Sequence, residues 1–280
     1  MKIGVITDCL KLPLAEGIPL AAKLGFSGVQ IYATGGEFSP DSLTAEQKAA
    51  YKAQLAECGL EISALCGDMG GHGFEIAADN PERVEKTKRI IDLAVEFGAK
   101  AVTTHMGVIP ADKADPKYAV MLAALTECGL YAASKGVTMA IETGPETAPT
   151  LLQFLQDTKG GVGVNLDPAN FVMVTGQDPV EAVELLGEYI VHTHVKDGKM
   201  LKKTDPAIIY NCFAEGGIEA LNVADYFLET PLGEGQVDFP AYIDALRRAG
   251  FDGYLTVERE TGADPVADIQ LAYNTVSALL

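Results

Sequence analysis

The sequence has little positive charge, and this shortage limits the partners that the protein is expected to bind. Lysine and arginine together number 21, against 39 for aspartate and glutamate, which gives a formal net charge of -18 at pH 7. Proteins that bind nucleic acid carry a basic patch or stripe, because counterion release from the phosphates drives their affinity. We therefore expect no nucleic-acid partner and no binding to an anionic membrane surface.

The sequence also lacks paired cysteines and long apolar runs. Its five cysteines are scattered and include no CxxC pair, so they form neither a disulfide framework nor a zinc motif. No segment approaches the roughly 18 apolar residues that a membrane span requires, and the first apolar run is too short for a signal peptide. We expect a cytoplasmic protein, since scattered free thiols suit a reducing compartment.

Short apolar runs alternate with helix-like stretches along the whole chain. No G-x-G-x-x-G motif follows the first run, which removes the usual dinucleotide-binding interpretation. The runs predicted to be strands are Ile3–Thr7, Val29–Tyr32, Ile62–Cys66, Val102–His105, Val137–Glu142, Val162–Asp167, Ile190–Val195 and Tyr254–Glu258. Eight strands alternating with helices predict a (β/α)8 TIM barrel, a single domain over residues 1–280, in preference to a doubly wound open sheet.

Helix boundaries are marked by capping-type residues and by glycines. Four clear helices are predicted, each followed directly by glycine, at Thr44–Cys58, Pro81–Phe97, Pro116–Lys135 and Phe239–Ala249. Asn80, which precedes Pro81, is predicted to cap the second of these helices.

Side-chain alternation in the strands predicts which residues point into the barrel. The branched apolar residues of each strand fall on one face, which would pack against the helices, and the polar residues fall on the other. At the ends of the last four strands, the inward positions are Glu142, Asp167, His194 and Glu258. Barrel enzymes place their chemistry at this end of the strands, so we expect these side chains to meet there.

Three carboxylates and one imidazole suit a hard or borderline divalent ion such as Mn²⁺, Mg²⁺ or Co²⁺. Each residue also has an ordinary structural interpretation. Asp167 stands before a proline and could cap a helix, His194 could be a hydrogen-bonded core histidine, and the two glutamates could pair with Arg259. Four in-register cases on adjacent strands favour the metal, because inward carboxylates are costly unless paired or metal-bound.

Four stretches of the sequence resemble the xylose-isomerase-like barrel superfamily, in the branch of sugar phosphate isomerases and epimerases. They are MAIETGP at Met139–Pro145, GVNLDPAN at Gly163–Asn170, VHTHVKD at Val191–Asp197, and the longer stretch Pro231–Glu260. Together with the barrel pattern, the resemblance covers essentially the whole chain.

The resemblance implies a sugar isomerase or epimerase that acts through an enediolate on a ketose or keto-sugar. It implies one divalent metal ion, Mn²⁺ first, with Mg²⁺, Co²⁺ or Zn²⁺ as alternatives. By resemblance the metal ligands are Glu142, Asp167, His194 and Glu258, and Glu142 and Glu258 also act as the acid/base pair. The expected partner is a small carbohydrate, and a homo-oligomer is a further expectation.

The chain departs from the ketose 3-epimerases of this superfamily at two places. Asn170 stands where those enzymes have a histidine, and Thr143–Pro145 replaces their Asn-Arg turn. Both departures weaken an assignment to free-ketose 3-epimerisation. The predicted substrate contacts are His72, His105, Asn170 and Lys196. Loop or core roles are the alternatives for the histidines, and an ion pair with Asp197 is the alternative for Lys196.

The segment Gly198–Thr230 is much longer than the usual connection after the seventh strand. Long loops in compact domains are usually functional. We predict an extended loop that acts as a lid or as a subunit contact; a peripheral excursion packed on the barrel rim is the alternative.

Other functions remain open on the sequence. A lyase or dehydratase acting on a keto-sugar or inosose would use the same site and expel a β-substituent. An apurinic endonuclease shares the fold but binds three zinc ions with many histidines, whereas this chain has four histidines. A non-catalytic sugar-binding module would need a broken metal site. An unphosphorylated substrate is favoured, because the region beyond the last two strands offers little free positive charge: Glu258, Glu260 and Asp264 against Lys196, Lys199 and Arg259.

Overall fold

A closed barrel of eight parallel strands dominates the computed structural model, which describes residues 1–217 and 221–280. The barrel strands are β1 (Lys2–Ile6), β2 (Gly28–Tyr32), β3 (Glu61–Cys66), β4 (Ala101–Thr104), β5 (Thr138–Glu142), β6 (Val162–Leu166), β7 (Ile190–Val195) and β10 (Tyr254–Val257). Two further strands, β8 (Asp197–Met200) and β9 (Phe227–Thr230), form a separate sheet. The first seven strands lie side by side in chain order, and β10 closes the ring between β7 and β1. The prediction of a single-domain (β/α)8 barrel is confirmed.

Helices follow the barrel strands and cover the outside of the ring. They are α1 (Leu14–Lys23), α2 (Ala45–Glu57), α3 (Asn80–Phe97), α4 (Pro116–Ser134), α5 (Ala148–Asp157), α6 (Pro168–Asn170), α7 (Pro179–Leu186), α8 (Pro206–Ala214), α9 (Phe239–Arg248) and α10 (Pro265–Leu279). The four helices predicted from the sequence all form, within about one residue of the predicted bounds. Within the described ranges, no helix combines the length and apolar character needed to cross a membrane.

Helix capping explains the start of α2 and corrects one prediction, at the start of α3. Thr44 caps α2 in a reciprocal capping box with Gln47. Asn80 does not cap α3, because it is already the first helical residue and its amide donates to the Phe74 carbonyl at 3.1 Å. Asp79 stands at the N-cap instead, without a side-chain cap. The prediction for Asn80 was therefore wrong.

The barrel separates an apolar shell from a polar interior. Outward strand residues such as Val5, Ile141 and Val164 are fully buried against the helices and belong to one continuous hydrophobic core. Inside the ring, buried polar side chains bond across strands: Gln30 of β2 donates to Thr103 of β4 at 3.2 Å. The alternation seen in the sequence therefore sorts the two faces as expected.

The segment Gly198–Thr230 carries secondary structure of its own instead of forming a plain loop. Its ends pair as the antiparallel hairpin β8–β9, in register from Asp197↔Thr230 to Met200↔Phe227, and helix α8 lies between them. On β9, Glu229 is buried and accepts a hydrogen bond from Arg259 at 2.8 Å, which ties the hairpin to the residues after β10. Residues 218–220 of the predicted loop lie outside the described residues.

Asp197 links the segment to the sequence PLGEG that follows it, at Pro231–Gly235. Its carboxylate is buried and accepts hydrogen bonds from the backbone amides of Gly198, Gly233, Gly235 and Val237, at 2.8–3.2 Å. A side chain at position 235 would overlap the Asp197 carboxylate, so glycine is required there for space. The two sequence motifs are therefore two halves of one structural clamp.

Replacing Asp197 by alanine should lower the free energy of unfolding by about 3 kcal/mol, because several backbone amides lose a charged acceptor together. Urea denaturation monitored by circular dichroism measures this loss. The matched control is Glu234→Ala, an exposed carboxylate in the same turn, which should change stability by less than about 0.5 kcal/mol. Equal stability of the two variants would show that the clamp contributes nothing.

Candidate metal centre

Four neighbouring strands deliver the residues of the candidate site. Glu142 is the last residue of β5, Asp167 directly follows β6, His194 lies near the end of β7, and Glu258 directly follows β10. These strands are adjacent in the ring, in the order β10, β7, β6, β5. All four side chains are buried. The carboxyl ends of parallel strands thus bring together residues that are far apart in the sequence.

The four side chains form one compact cluster around the imidazole of His194. One potential ligand atom from each residue lies within 4.8 Å of all the others. His194 Nδ1 is 2.8 Å from Glu258 Oε2, 3.4 Å from Glu142 Oε1 and 3.8 Å from Asp167 Oδ2. The arrangement can hold a divalent cation through three carboxylates and one nitrogen.

The hydrogen bonding of the cluster tests whether a cation fits. Asp167 Oδ2, His194 Nδ1 and Glu258 Oε2 are buried and make no hydrogen bond of regular geometry among the described residues, although His194 Nδ1 and Glu258 Oε2 are only 2.8 Å apart. An unsatisfied buried polar atom costs about 1–3 kcal/mol, so such atoms rarely cluster without a function. All three face one another across the cluster. Three carboxylates and one imidazole with potential ligand atoms this close together fit a hard or borderline divalent ion.

Asp167 serves both of the roles considered for it. Its Oδ1 accepts hydrogen bonds from the backbone amides of Ala169 and Asn170, at 2.7 and 3.2 Å, and so caps the short helix α6. Its Oδ2 remains free and faces the cluster. The cap holds the carboxylate in one orientation, because rotation of the group would break two hydrogen bonds.

Gln30 orients the imidazole of His194 from the interior of the barrel. Its Nε2 donates to Thr103, which leaves Oε1 as an acceptor 3.1 Å from His194 Nε2. With the Nε2 proton donated to this oxygen, the lone pair of Nδ1 is available to the cluster; the Asn165 amide nitrogen, 3.2 Å from Nε2, competes with this arrangement. The sequence analysis did not single out Gln30, although its alternation with Val29 and Ile31 was a readable signal.

The negative charges of the cluster are partly offset by a neighbouring lysine and by imidazoles. Burial raises the pKa of Glu142, but His105 and His194 outweigh it and hold that pKa below its usual value. Burial likewise raises the pKa of Glu258, and Lys196 and His194 reverse the effect. Both glutamates are therefore ionised at neutral pH, the form in which a carboxylate can bind a cation or accept a proton.

Lys196 lies beside the cluster and forms a buried ion-pair network. Its Nζ is 2.7 Å from Glu260 Oε2, 3.2 Å from Glu258 Oε1 and 3.9 Å from Asp167 Oδ2. Burial acts to lower the pKa of Lys196, but the opposing effect of Glu258 and Glu260 is larger. The pKa therefore lies well above its usual value and the amine stays charged. The alternative of a surface pair with Asp197 is wrong, because Asp197 is occupied by backbone amides.

The other predicted substrate contacts lie at different distances from the cluster. His105 borders it, with Nε2 3.5 Å from Glu142 Oε1. The side chain of Asn170 is bound to the Thr143 carbonyl at 2.9 Å. His72 pairs with Glu215 of the extended segment at 2.7 Å. His105 and Lys196 are thus the two that the fold brings against the four clustered residues.

Two tyrosines near the cluster were missed from the sequence. Tyr32 ends β2 on the same face as Gln30, remains partly exposed and lies within electrostatic range of Glu142 and Glu258. Tyr210 reaches His105 from helix α8. Alternation could have indicated Tyr32, whereas the position of Tyr210 depends on how α8 packs on the barrel.

Comparisons with known proteins agree with this architecture. The family model described as "Xylose isomerase-like TIM barrel" matches residues 18–274. The rhizopine catabolism protein MocC of Rhizobium meliloti is 24% identical over 262 residues, which span 89% of this chain and 75% of that protein.

Solved structures with the same fold include proteins named for sugar chemistry. A xylose isomerase domain protein from Planctomyces limnophilus is 26% identical with a TM-score of 0.79, over 99% of this chain and 96% of its own. The probable 3-DHS dehydratase AsbF of Bacillus anthracis is 20% identical with a TM-score of 0.77, over 99% of both chains. A D-tagatose 3-epimerase-like protein is 19% identical with a TM-score of 0.73, over 100% and 98%.

Two further structures of this fold contain an ion. A Mycobacterium smegmatis protein in complex with magnesium has a TM-score of 0.72 at 19% identity, over 99% of this chain and 96% of its own. The IOLI protein with a bound zinc atom has a TM-score of 0.76 at 18% identity, over 100% and 98%. Similarity at these identities establishes a shared fold.

Glu146, in the loop after β5, generates a pH prediction. Burial raises its pKa to about 7, although the Gly144 amide donates to its carboxylate at 3.3 Å. The folded protein therefore retains a proton that the unfolded chain releases above the ordinary glutamate pKa of 4.5. The stability linked to this proton is complete below about pH 4.5 and is lost as the pH rises through about 7.

Replacing Glu146 by glutamine should remove that loss. The melting temperature of Glu146→Gln, relative to wild type, should be higher at about pH 8 than at about pH 5. Thermal melts of both proteins at the two pH values measure the difference. The same difference at both pH values would contradict a buried, protonated Glu146.

Proposed function

Since the chain belongs to the xylose isomerase-like TIM barrel family, we propose that it is a divalent-metal-dependent sugar isomerase or epimerase acting on a ketose or keto-sugar. The observation that carries the proposal is the buried cluster of Glu142, Asp167, His194 and Glu258, whose potential ligand atoms lie within 4.8 Å of one another; three buried atoms of the cluster lack a regular hydrogen bond among the described residues. A non-catalytic binding module would have no use for such a costly arrangement. An apurinic endonuclease would need more ligands than the four histidines of this chain can supply.

One divalent ion held by the four side chains would supply Lewis-acid stabilisation of the negative charge that develops on substrate oxygens. We propose Mn²⁺ as this ion, with Mg²⁺, Co²⁺ and Zn²⁺ as alternatives. Carboxylates suit Mn²⁺ and Mg²⁺, whereas imidazole also suits Zn²⁺ and Co²⁺, so three carboxylates to one imidazole favour the harder ions.

Glu142 and Glu258 would move the protons. They project from β5 and from the end of β10, with β6 and β7 between them, so they approach the cluster from different sides of the ring. Asn165 donates to Glu142 Oε2 at 3.2 Å, and Lys196 lies 3.2 Å from Glu258 Oε1, so each carboxylate is held in place. One glutamate would remove the proton beside the substrate carbonyl to give an enediolate, and the other would return a proton.

The charge around the cluster favours an unphosphorylated substrate. Lys196 is the cation at the cluster, and Glu258 and Glu260 already neutralise it. The nearby carboxylates are Asp68, Glu142, Glu146, Asp167, Glu258 and Glu260. A phosphate dianion would be repelled by this surplus of negative charge, whereas the hydroxyl groups of a neutral sugar can donate hydrogen bonds to it.

A lyase or dehydratase acting on a keto-sugar or inosose is the second candidate. The similarity to a probable dehydratase supports it, as do the two departures from the ketose 3-epimerases at Asn170 and Thr143–Pro145. Both reactions begin with the same proton removal, and the lyase then expels a β-substituent. Incubation in D₂O distinguishes them, because an isomerase or epimerase returns a deuterated sugar and a lyase returns a dehydrated product.

Removing divalent metal should abolish activity and lower the melting temperature. A ligand that binds only the folded state at 100 times its dissociation constant stabilises by about 2.7 kcal/mol, and the clustered carboxylates repel one another without it. Dialysis against EDTA followed by calorimetry measures the loss, and Mn²⁺ or Co²⁺ should restore both properties. Full turnover in protein shown to be metal-free by elemental analysis would contradict the proposal.

The variants Glu142→Gln and Glu258→Gln should bind metal more weakly and, at saturating metal, lose roughly 10²–10⁴-fold in kcat, the usual scale of general acid–base catalysis. One variant should stop solvent exchange at the substrate carbon, and the other should permit exchange without completing the reaction. NMR in D₂O measures both outcomes. Glu234→Gln, on the exposed turn, is the control that should keep wild-type turnover. Near wild-type turnover of both metal-saturated variants would assign the glutamates a structural role.

A further inference from the structure

We propose that Tyr210, carried by helix α8 of the extended segment, is a positioning residue that fixes the imidazole of His105 at the candidate metal centre. The segment Gly198–Thr230 would then complete the site instead of decorating the rim. The kinetic part of the inference rests on the proposed function, whereas the contact itself can be tested without any substrate.

The contact is specific on both sides of the His105 ring. Tyr210 Oη lies 2.8 Å from His105 Nδ1, and the two rings meet edge to face with centroids 5.5 Å apart. On the opposite side, His105 Nε2 lies 3.5 Å from Glu142 Oε1. The imidazole therefore lies between the extended segment, to which it is hydrogen-bonded, and a carboxylate of the cluster that is within ion-pair distance.

The chemistry of the three groups selects one arrangement of protons in the neutral ring. Burial raises the pKa of Tyr210 well above its usual value, with Glu146 and Glu142 adding to the effect, so the phenol keeps its proton. If Tyr210 donates to Nδ1, the proton of His105 is on Nε2 and points to the Glu142 carboxylate. The opposite tautomer would place two lone pairs against each other there. His105 therefore presents an N–H donor to the centre.

Gly144 provides independent support, because its missing side chain makes room for Tyr210. A β-carbon at position 144 would overlap the Tyr210 hydroxyl. The backbone of Gly144 is not in the left-handed region, so conformation does not explain a glycine here. The loop after β5 and the helix α8 are thus shaped for each other, within the Thr143–Pro145 turn where the chain departs from the ketose 3-epimerases.

The extended segment is held in place at two other points. Glu215, directly after α8, pairs with His72 at 2.7 Å, and Glu229 on β9 is bound by Arg259 at 2.8 Å. These contacts fix α8 between the loops after β3 and β4 and the end of β10. Tyr210 is therefore delivered to His105 by a segment anchored on both sides.

Imidazole nitrogen NMR tests the contact directly in the full-length protein loaded with diamagnetic Mg²⁺. The chain has only four histidines, so ¹⁵N-histidine labelling gives a small set of signals, and His105→Gln assigns those of His105. Spectra are recorded at alkaline pH, where the His105 ring is neutral, and wild type should then show a hydrogen-bonded, unprotonated Nδ1 at His105. Tyr210→Phe should shift this signal towards a mixture of tautomers. Tyr226→Phe, a tyrosine of the same segment that packs against Lys202, should leave it unchanged.

A second variant protects the test against misfolding of the segment. Gly144→Ala leaves the sequence of α8 unchanged, but its β-carbon should displace the Tyr210 hydroxyl. It should therefore reproduce the shift seen in Tyr210→Phe. An unchanged His105 spectrum in both variants, with the melting temperature retained, would overturn the proposal.

Kinetics then separates positioning from general support. Tyr210→Phe should lower kcat roughly 10-fold with little change in KM, the scale seen when a partner that orients a site residue is lost. In the His105→Gln background the same substitution should have no further effect, because Tyr210 acts through His105. Equal losses in both backgrounds would overturn the positioning role. Absence of sugar turnover in wild type would count against the proposed function and leave the NMR result to decide the role of Tyr210.

Discussion

The mutual repulsion of three buried carboxylates is the constraint to which the rest of this molecule responds. Two like unit charges about 4 Å apart repel by about 4 kcal/mol at an effective dielectric constant of 20. One carboxylate oxygen from each of Glu142, Asp167 and Glu258 lies within 4.8 Å of the others. His194 and Lys196 offset part of this cost, and a capping interaction fixes Asp167. Atoms that no described residue satisfies remain at the centre of the cluster. A divalent cation bound there would balance both the charge and the lone pairs.

The polar interior of the barrel is the support on which that cluster rests. His192 bonds to the same Gln30 oxygen as His194, at 2.9 Å, and burial together with His194 lowers the pKa of His192 to about 3. His192 is therefore neutral: it hydrogen-bonds to Gln30 but adds no charge beneath the candidate metal centre. This explains why the chain keeps a glutamine at that depth: an amide can hold both rings, whereas a carboxylate would compete for the proton of His194.

The fold and the four clustered residues could be predicted because both follow from local periodicity. Alternation of two residues sorts the strand faces, and parallel strands bring their carboxyl ends to one rim. Interactions that depend on packing between distant elements gave no such signal. Asn80 stands in a capping-type sequence, but its side chain donates a hydrogen bond to the Phe74 carbonyl. Lys196 forms ion pairs with Glu258 and Glu260 instead of with its neighbour Asp197. Tyr210 reaches His105 only because α8 docks across the mouth.

The Asp197 clamp explains how the barrel accommodates so long a segment beside its site. The hairpin β8–β9 begins and ends at the pair Asp197↔Thr230, so the chain leaves and re-enters the rim at neighbouring points. Everything between these points can change without altering the strands that carry the clustered residues. Because the cost of closing a loop grows only slowly with its length, such an insertion is tolerated thermodynamically. The barrel thereby separates a fixed centre of charge from a segment that leaves and rejoins the rim at one place, and Tyr210 is the contact that joins the second to the first.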